Sequence, residues 1–272
     1  MTSAEDGDGD GDERSGSGGA GDHCGEEAAK TWWDAWADHF QTVGDIDVGV
    51  ARGPGAPHDD DLGLLGDVAG EDVVELGCGG AQFGLALADR GADYTGVDLS
   101  SAQLAHARAN AAGVGASDAT FIEASVTDLP LPTDAFDLAV SAFAFQWVED
   151  LTGCFREAHR VLRPGGRLVF SVDHPCYKLF DPESGDVARS YFGDSPRREY
   201  SEPFDAEMVV YSRPVSETVA HLDDAGFTVE AIREPGYADP DEYESAFGGF
   251  DPELMADVPP TVVYAARACP EL

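Results

Sequence analysis

From residue 72 onward, short apolar runs alternate with amphipathic stretches. Val73, Val74 and Leu76 form a run with no polar face, as a strand buried on both sides requires. The run breaks at Gly77, Gly79 and Gly80, where a tight turn with close backbone approach is possible. It resumes as AQFGLALADRG, with Phe83, Leu85, Ala86 and Leu87 at helical positions and Gly91 as the stop. The alternation then repeats. ADYTGVDLS reads as a strand and SSAQLAHARANAAG as a helix; ATFIEAS and AFDLAVSAFAF read as strands. WVEDLTGCFREAHRVLRPGG reads as a helix stopped by Pro164 and Gly165, before the strand GRLVFSVDHP. Repeated β-α-β spacing implies a parallel, doubly wound α/β sheet with ligand sites at the carboxyl ends of its strands.

Two segments stand outside this rhythm. Upstream, EEAAKTWWDAWADHFQTVG places Trp32, Trp33, Trp36, Phe40 and Val43 at helical spacing, with Gly44 as the stop. This predicts an amphipathic helix over 28–44, either packed on the domain or closing a pocket as a lid. DLGLLGDVAG then reads as a short helix leading into the first strand. Downstream, residues 174–211 are too long for a simple connection and carry Tyr177, Phe180, Tyr191, Phe192, Tyr200 and Phe204, which predicts a substrate cap. VSETVAHLDDAG reads as a helix, and FTVEAIRE and TVVYAARA as two strands in an antiparallel finish.

Length and charge narrow the picture. A chain of 272 residues holds one α/β domain, here 28–272, behind an acidic segment 1–27 that has almost nothing to bury and is expected to be disordered. The opening residues are not basic and then apolar, so no signal peptide is expected. No apolar run approaches the roughly 20 residues of a membrane helix. Five scattered cysteines without a C-x-x-C pair suggest neither a disulfide framework nor a metal site, and fit a reducing cytoplasm. The net charge is −37, and Lys30 and Lys178 are the only lysines. Such a surface repels phosphate backbones and disfavours nucleic acid as a substrate. Pervasive acidity with few lysines also resembles proteins of salt-loving cells, where ionic strength screens self-repulsion.

A strand, a glycine turn and a helix N-terminus together offer backbone N–H groups to a ligand, although an ordinary turn that binds nothing has the same pattern. Asp98 ends the second strand, where a carboxylate can accept both hydroxyls of a ribose or can simply cap the next helix. In order along residues 30–268, ELGCGG, GVDLS, IEASVTDLPLPTDAFDLAVS, SAFAFQWVEDL and HRVLRPGGRLVFSV resemble the motifs of class I S-adenosylmethionine-dependent methyltransferases, in particular the ubiquinone/menaquinone-methyltransferase-like group. The resemblance implies a Rossmann-like, seven-stranded, mostly parallel sheet with an antiparallel last strand and helices on both faces. It also implies S-adenosyl-L-methionine as methyl donor, and a small-molecule acceptor is the favoured reading. By that resemblance Gly77, Cys78 and Gly79 pass beside the methionine part of the cofactor, with Glu75 organising the loop. Asp98 takes the ribose, Leu99, Gln103 and Val126 adjoin the adenine, and Ala142 and Phe143 approach from the fourth strand. The family often has an acidic residue for the adenine amino group where this chain has Ser125.

For the acceptor, Trp33, Gln146, Trp147, Tyr177 and Tyr191 are candidate lining residues, each with packing as the plainer role. His174 is the candidate base, with a loop-anchoring histidine as the plainer role. Two other readings remain: a catalytically silent cofactor-binding or regulatory domain, and an NAD(P)-dependent oxidoreductase. The latter is disfavoured because Gln82 stands where a G-x-G-x-x-G fingerprint has its third glycine.

Overall fold

The computed structural model describes residues 24–44, 49, 62–181, 184–193, 195–236 and 250–270. The predicted acidic segment therefore lies outside the described residues up to 23. Residues 24–27 are already helical, because α1 spans Cys24–Gly44 and starts four residues ahead of the expected boundary.

A seven-stranded sheet follows in the order β3-β2-β1-β4-β5-β9-β8. Its strands are β1 (Asp72–Leu76), β2 (Asp93–Asp98), β3 (Thr120–Glu123), β4 (Phe136–Ala142), β5 (Leu162–Asp173), β8 (Phe227–Arg233) and β9 (Thr261–Ala268). The helices between them are α2 (Gln82–Asp89), α3 (Ser101–Val114), α4 (Leu151–Val161), α5 (Val215–Asp224) and α6 (Pro252–Asp257). Strands β1 to β5 pair in parallel, and β9 runs antiparallel to both of its neighbours, β5 and β8. The antiparallel finish is thus not an appended edge hairpin. The last strand is inserted between two earlier ones.

Side-chain alternation on β1 explains why this sheet is buried on both faces. Val74 and Leu76 join a core with Phe145, Phe155, Phe170 and Tyr264, whereas Val73 faces the opposite core with Leu65, Leu87, Leu138, Val140, Val169 and Val263. Phe170 and Tyr264 stack at 4.9 Å across the β5–β9 pair. A third cluster, with Cys78, Leu85, Tyr94 and Leu104, fixes α2 and α3 beside the β1 and β2 ends.

Two expected elements differ. The segment 62–70 is mostly irregular, because Gly63 and Gly66 take left-handed backbone angles that interrupt any helix. Helix α4 ends at Val161, three residues before Pro164, and LRPGG instead opens β5 with a shift of register against β4. Residues 174–211, expected to form a substrate cap, contain a separate hairpin, β6 (Arg197–Ser201) with β7 (Ala206–Val210).

Candidate active site

The carboxyl ends of β1, β2, β3 and β4 lie side by side. Between β1 and β4 the strand order reverses, and this is where open α/β sheets form their ligand crevice. The turn after β1 needs glycine at position 77: its φ is +74°, and a Cβ there would collide with Ala144 beyond β4. The turn does not point its first amides outward as expected. Gly77 and Cys78 both donate to the Val97 carbonyl, at 2.8 and 2.9 Å, and Gly79 donates to Asp98 Oδ2 at 2.7 Å. What the turn offers a ligand there is close approach of bare backbone.

Asp98 joins two loops. Its Oδ2 accepts from Gly79 and its Oδ1 accepts from the Ser100 amide at 2.8 Å. Burial raises its pKa above the ordinary aspartate value, opposed by these two amides. Each oxygen keeps a further lone pair for a ligand hydroxyl. Glu75 lies deeper. Its Oε2 accepts from Tyr94 Oη at 2.6 Å and from the Gly84 amide at 3.1 Å, which ties α2 to β2. Burial pushes its pKa up to about 8 despite both donors. Burial also raises the Cys78 thiol well above its usual pKa, so it stays a neutral packing group.

Helix α1 crosses this edge with two different sides. Glu26, Lys30, Asp34, Asp38 and Gln41 fall on one stripe, and their contacts step along the loops. Glu26 meets Ser125 and Thr127, Lys30 donates to the Leu99 carbonyl and Glu123, and Asp34 accepts from Ser100 Oγ and the Ala102 amide. Asp38 pairs with His106, and Gln41 bonds Gln103 and Gln82. Partial burial opposes ionisation of Asp34, but Ser100, Ala102 and Lys30 together hold its carboxyl below the usual range. In the sequence the tryptophans are what mark this helix, and the polar stripe does not stand out. The signal was present as polar residues every fourth position, 26, 30, 34 and 38, a spacing usually seen on a solvated face.

The other side of α1 is aromatic. Trp32, Trp36 and His39 pack around Phe204 at the turn between β6 and β7, and Trp33 meets Trp147 edge-on at 5.0 Å. Trp33, Trp147 and Gln146 are therefore brought together beside the β4 end, where Gln146 Nε2 donates to the Phe143 carbonyl at 2.8 Å. Phe143, which is not glycine, has a φ of +58°. Such strain is held only where the surroundings fix it. Tyr177 is also close to this end: it stacks on Phe250 at 5.4 Å, and Phe250 in turn meets Phe143.

Two candidates have other duties. Tyr191 accepts from the Val215 amide at 3.3 Å, serving the first turn of α5 where Pro214 supplies no side-chain cap. His174 accepts at Nδ1 from the Cys176 amide and meets Glu234 through Nε2 at 2.8 Å. With Nδ1 accepting, the ring proton sits on Nε2, and neither nitrogen is free to take a proton from an acceptor. It anchors the loop after β5 in this structure.

Among the described residues there is no group of acidic, histidine or cysteine side chains that could hold a metal, and no helix is long and apolar enough to cross a membrane.

A family model described as a methyltransferase domain matches residues 74–170, from β1 into β5. The malonyl-[acyl-carrier protein] O-methyltransferase of Pseudescherichia vulneris is 36% identical over 111 residues, 41% of this chain and 42% of that protein. The ubiquinone biosynthesis O-methyltransferase of Pseudomonas aeruginosa is 33% identical over 148 residues, 54% of this chain and 60% of that protein. The chain thus spans less than two thirds of the length of these curated relatives. A solved S-adenosylmethionine-dependent methyltransferase from Mesorhizobium loti is 30% identical, with a TM-score of 0.60 over 76% of this chain and 94% of that one. With the glycine turn, Asp98 and the β1/β4 crevice in the family's order, and a full-length relative at that identity, the chain belongs to the S-adenosylmethionine-dependent methyltransferases.

Proposed function

We propose that the protein transfers a methyl group from S-adenosyl-L-methionine to a small organic acceptor. The observation that carries this reading is the placement of Gly77, Asp98 and Phe143 at neighbouring strand ends, with a polar edge on the β2 and β3 side and aromatic side chains on the β4 side. The residues fit the cofactor. Bare backbone at Gly77 to Gly79 allows its amino-acid part to lie close, Asp98 retains lone pairs for the ribose hydroxyls, and Leu99 and Val126 offer apolar flanks to the base. Gln103 is buried with Nε2 lacking a partner among the described residues, which leaves its two N–H donors for the same ligand.

When bound, the cofactor supplies an electrophilic methyl group on a sulfonium, ready for in-line displacement. This chain's part is positioning. Trp33, Trp147 and Gln146 hold the acceptor beside the β4 end, and α1 shields the crevice from water while the cap hairpin braces α1 through Phe204. The Gln146 Oε1 atom is buried and has no partner among the described residues, so it can accept from an acceptor O–H or N–H. The acidic surface supports a small acceptor over nucleic acid.

The test is a binding and transfer experiment. S-adenosylhomocysteine should bind in calorimetry and NADH should not, and labelled methyl should enter the small-molecule fraction of a cell extract. Label found in RNA or protein instead, or tight binding of NADH alone, overturns the reading.

A further inference from the structure

The chain has no acidic side chain at position 125, where the β3 end would meet the base, yet a carboxylate is present there. Glu26, in the first turn of α1, accepts from Ser125 Oγ at 2.6 Å and from Thr127 Oγ1 at 3.4 Å, both through Oε2. Thr127 also donates its amide to Ser125 Oγ at 3.2 Å, so the two hydroxyls and the carboxylate form one fixed cluster. The other carboxylate oxygen, Oε1, takes no hydrogen bond from the described residues.

Sheet order locates this cluster relative to the ligand. In the order β3-β2-β1-β4, the glycine turn is at β1, Asp98 is at β2, and Glu26 with Ser125 is at β3. Neighbouring strands lie about 4.8 Å apart, so the β3 end is within reach of the base of a ribose held at Asp98. The edge of adenine carries an exocyclic amino donor, and a hydrogen bond from it to an ionised acceptor is among the stronger ones available. Lys30 and Asp34, one and two turns along the same helix, fasten α1 to Leu99, Ser100 and Ala102, which fixes the reach of Glu26.

We infer that Glu26, supplied by the N-terminal helix rather than by the sheet, reads the amino group of the cofactor's adenine through Oε1, with Ser125 and Thr127 orienting it. This rests on the cofactor reading above and adds a specificity residue to it. It also makes selection of the base depend on α1 being seated.

The test compares the affinities of S-adenosylhomocysteine and S-inosylhomocysteine, whose base has a carbonyl oxygen in place of the amino group. The wild-type protein should prefer the adenine ligand. In Glu26→Ala the adenine ligand should weaken by about tenfold or more, as loss of a charged hydrogen bond implies, while the hypoxanthine ligand is unchanged or improves. Lys30→Ala loosens the helix that fixes the reach of Glu26, so it should lower the adenine preference in the same direction as Glu26→Ala and by less. An unchanged ratio in Glu26→Ala, an equal loss of both ligands there, or an undiminished adenine preference in Lys30→Ala overturns the inference while leaving the cofactor reading intact. A wild-type protein that binds neither ligand overturns both.

Discussion

The two halves of the crevice are built from different materials. On the β1–β3 side, the loops and α1 are joined by directional bonds: Gly79 and Ser100 to Asp98, Asp34 to Ser100, Lys30 to Glu123 and Glu26 to Ser125. On the β4–β5 side, Trp33 meets Trp147, Trp32 meets Phe204 and Tyr177 meets Phe250 through ring faces and edges, and a buried oxygen of Gln146 has no partner among the described residues. A polar network fixes one geometry and therefore suits a ligand of fixed chemistry. Aromatic packing excludes water without prescribing hydrogen bonds, and suits a partner defined by shape.

The largest effect expected on the polar side is a pH dependence. Glu75 is raised in the folded state from 4.5 to about 8, so the stability linked to it is present below pH 4.5 and is lost as pH rises through about 8. The full span is on the order of 5 kcal/mol. Glu75→Gln keeps an acceptor for Tyr94 and Gly84 and should flatten this slope in denaturation midpoints measured from pH 5 to 9. An unchanged slope would mean that Glu75 is ionised in the fold.

Next comes the glycine turn. Gly77→Ala places a methyl group against Ala144 at a positive φ and should cost about 2–4 kcal/mol, read by chemical unfolding. A variant as stable as the wild type would show that the two strand ends are not in contact. Asp98→Ala should then lower S-adenosylhomocysteine affinity by about 100-fold, since two charged hydrogen bonds are at stake. Because burial raises the Asp98 pKa, cofactor affinity in the wild type should also fall at a higher pH than for an ordinary aspartate as the solution is acidified.

The smallest effect tests the aromatic side. Trp33→Ala removes the edge contact with Trp147 and should raise the acceptor KM by about threefold to tenfold, leaving cofactor affinity within about twofold. Equal losses in both would show that α1 acts on the two halves as one piece, and the contrast between them would dissolve.

How much of this was legible in the sequence follows the same division. Strands and helices from β1 to β5 were readable because apolar runs buried on both faces have few alternatives, and the glycine turn and Asp98 announce themselves by position. The misreadings are local. Gly63 and Gly66 broke an expected helix, and α4 gave way to β5 before Pro164, since strand pairing with β4 outweighed the helical pattern there. The polar stripe of α1 was hidden for a different reason. Glu26, Lys30, Asp34 and Gln41 look like a solvated face until the fold supplies Ser125, Leu99, Ser100 and Gln103 as partners, 62 to 99 residues away in the chain. The anchoring contacts of His174 and Tyr191 are hidden for the converse reason: their partners, Glu234 and the Val215 amide, are also distant in sequence.

The placement of β9 bears on how the protein acquires its shape. Strands β5 and β8 both precede β9 in the chain, yet β9 is what joins them, with Arg167 opposite Arg267 and Phe227 opposite Ala268. During synthesis the parallel part of the sheet can assemble while β8 still has no neighbour and β5 keeps an unpaired edge rich in Val169, Phe170 and Val172. That edge is a template for stray pairing until residues near 268 arrive, so the interval before they do is the period in which a nascent chain most needs protection from aggregation.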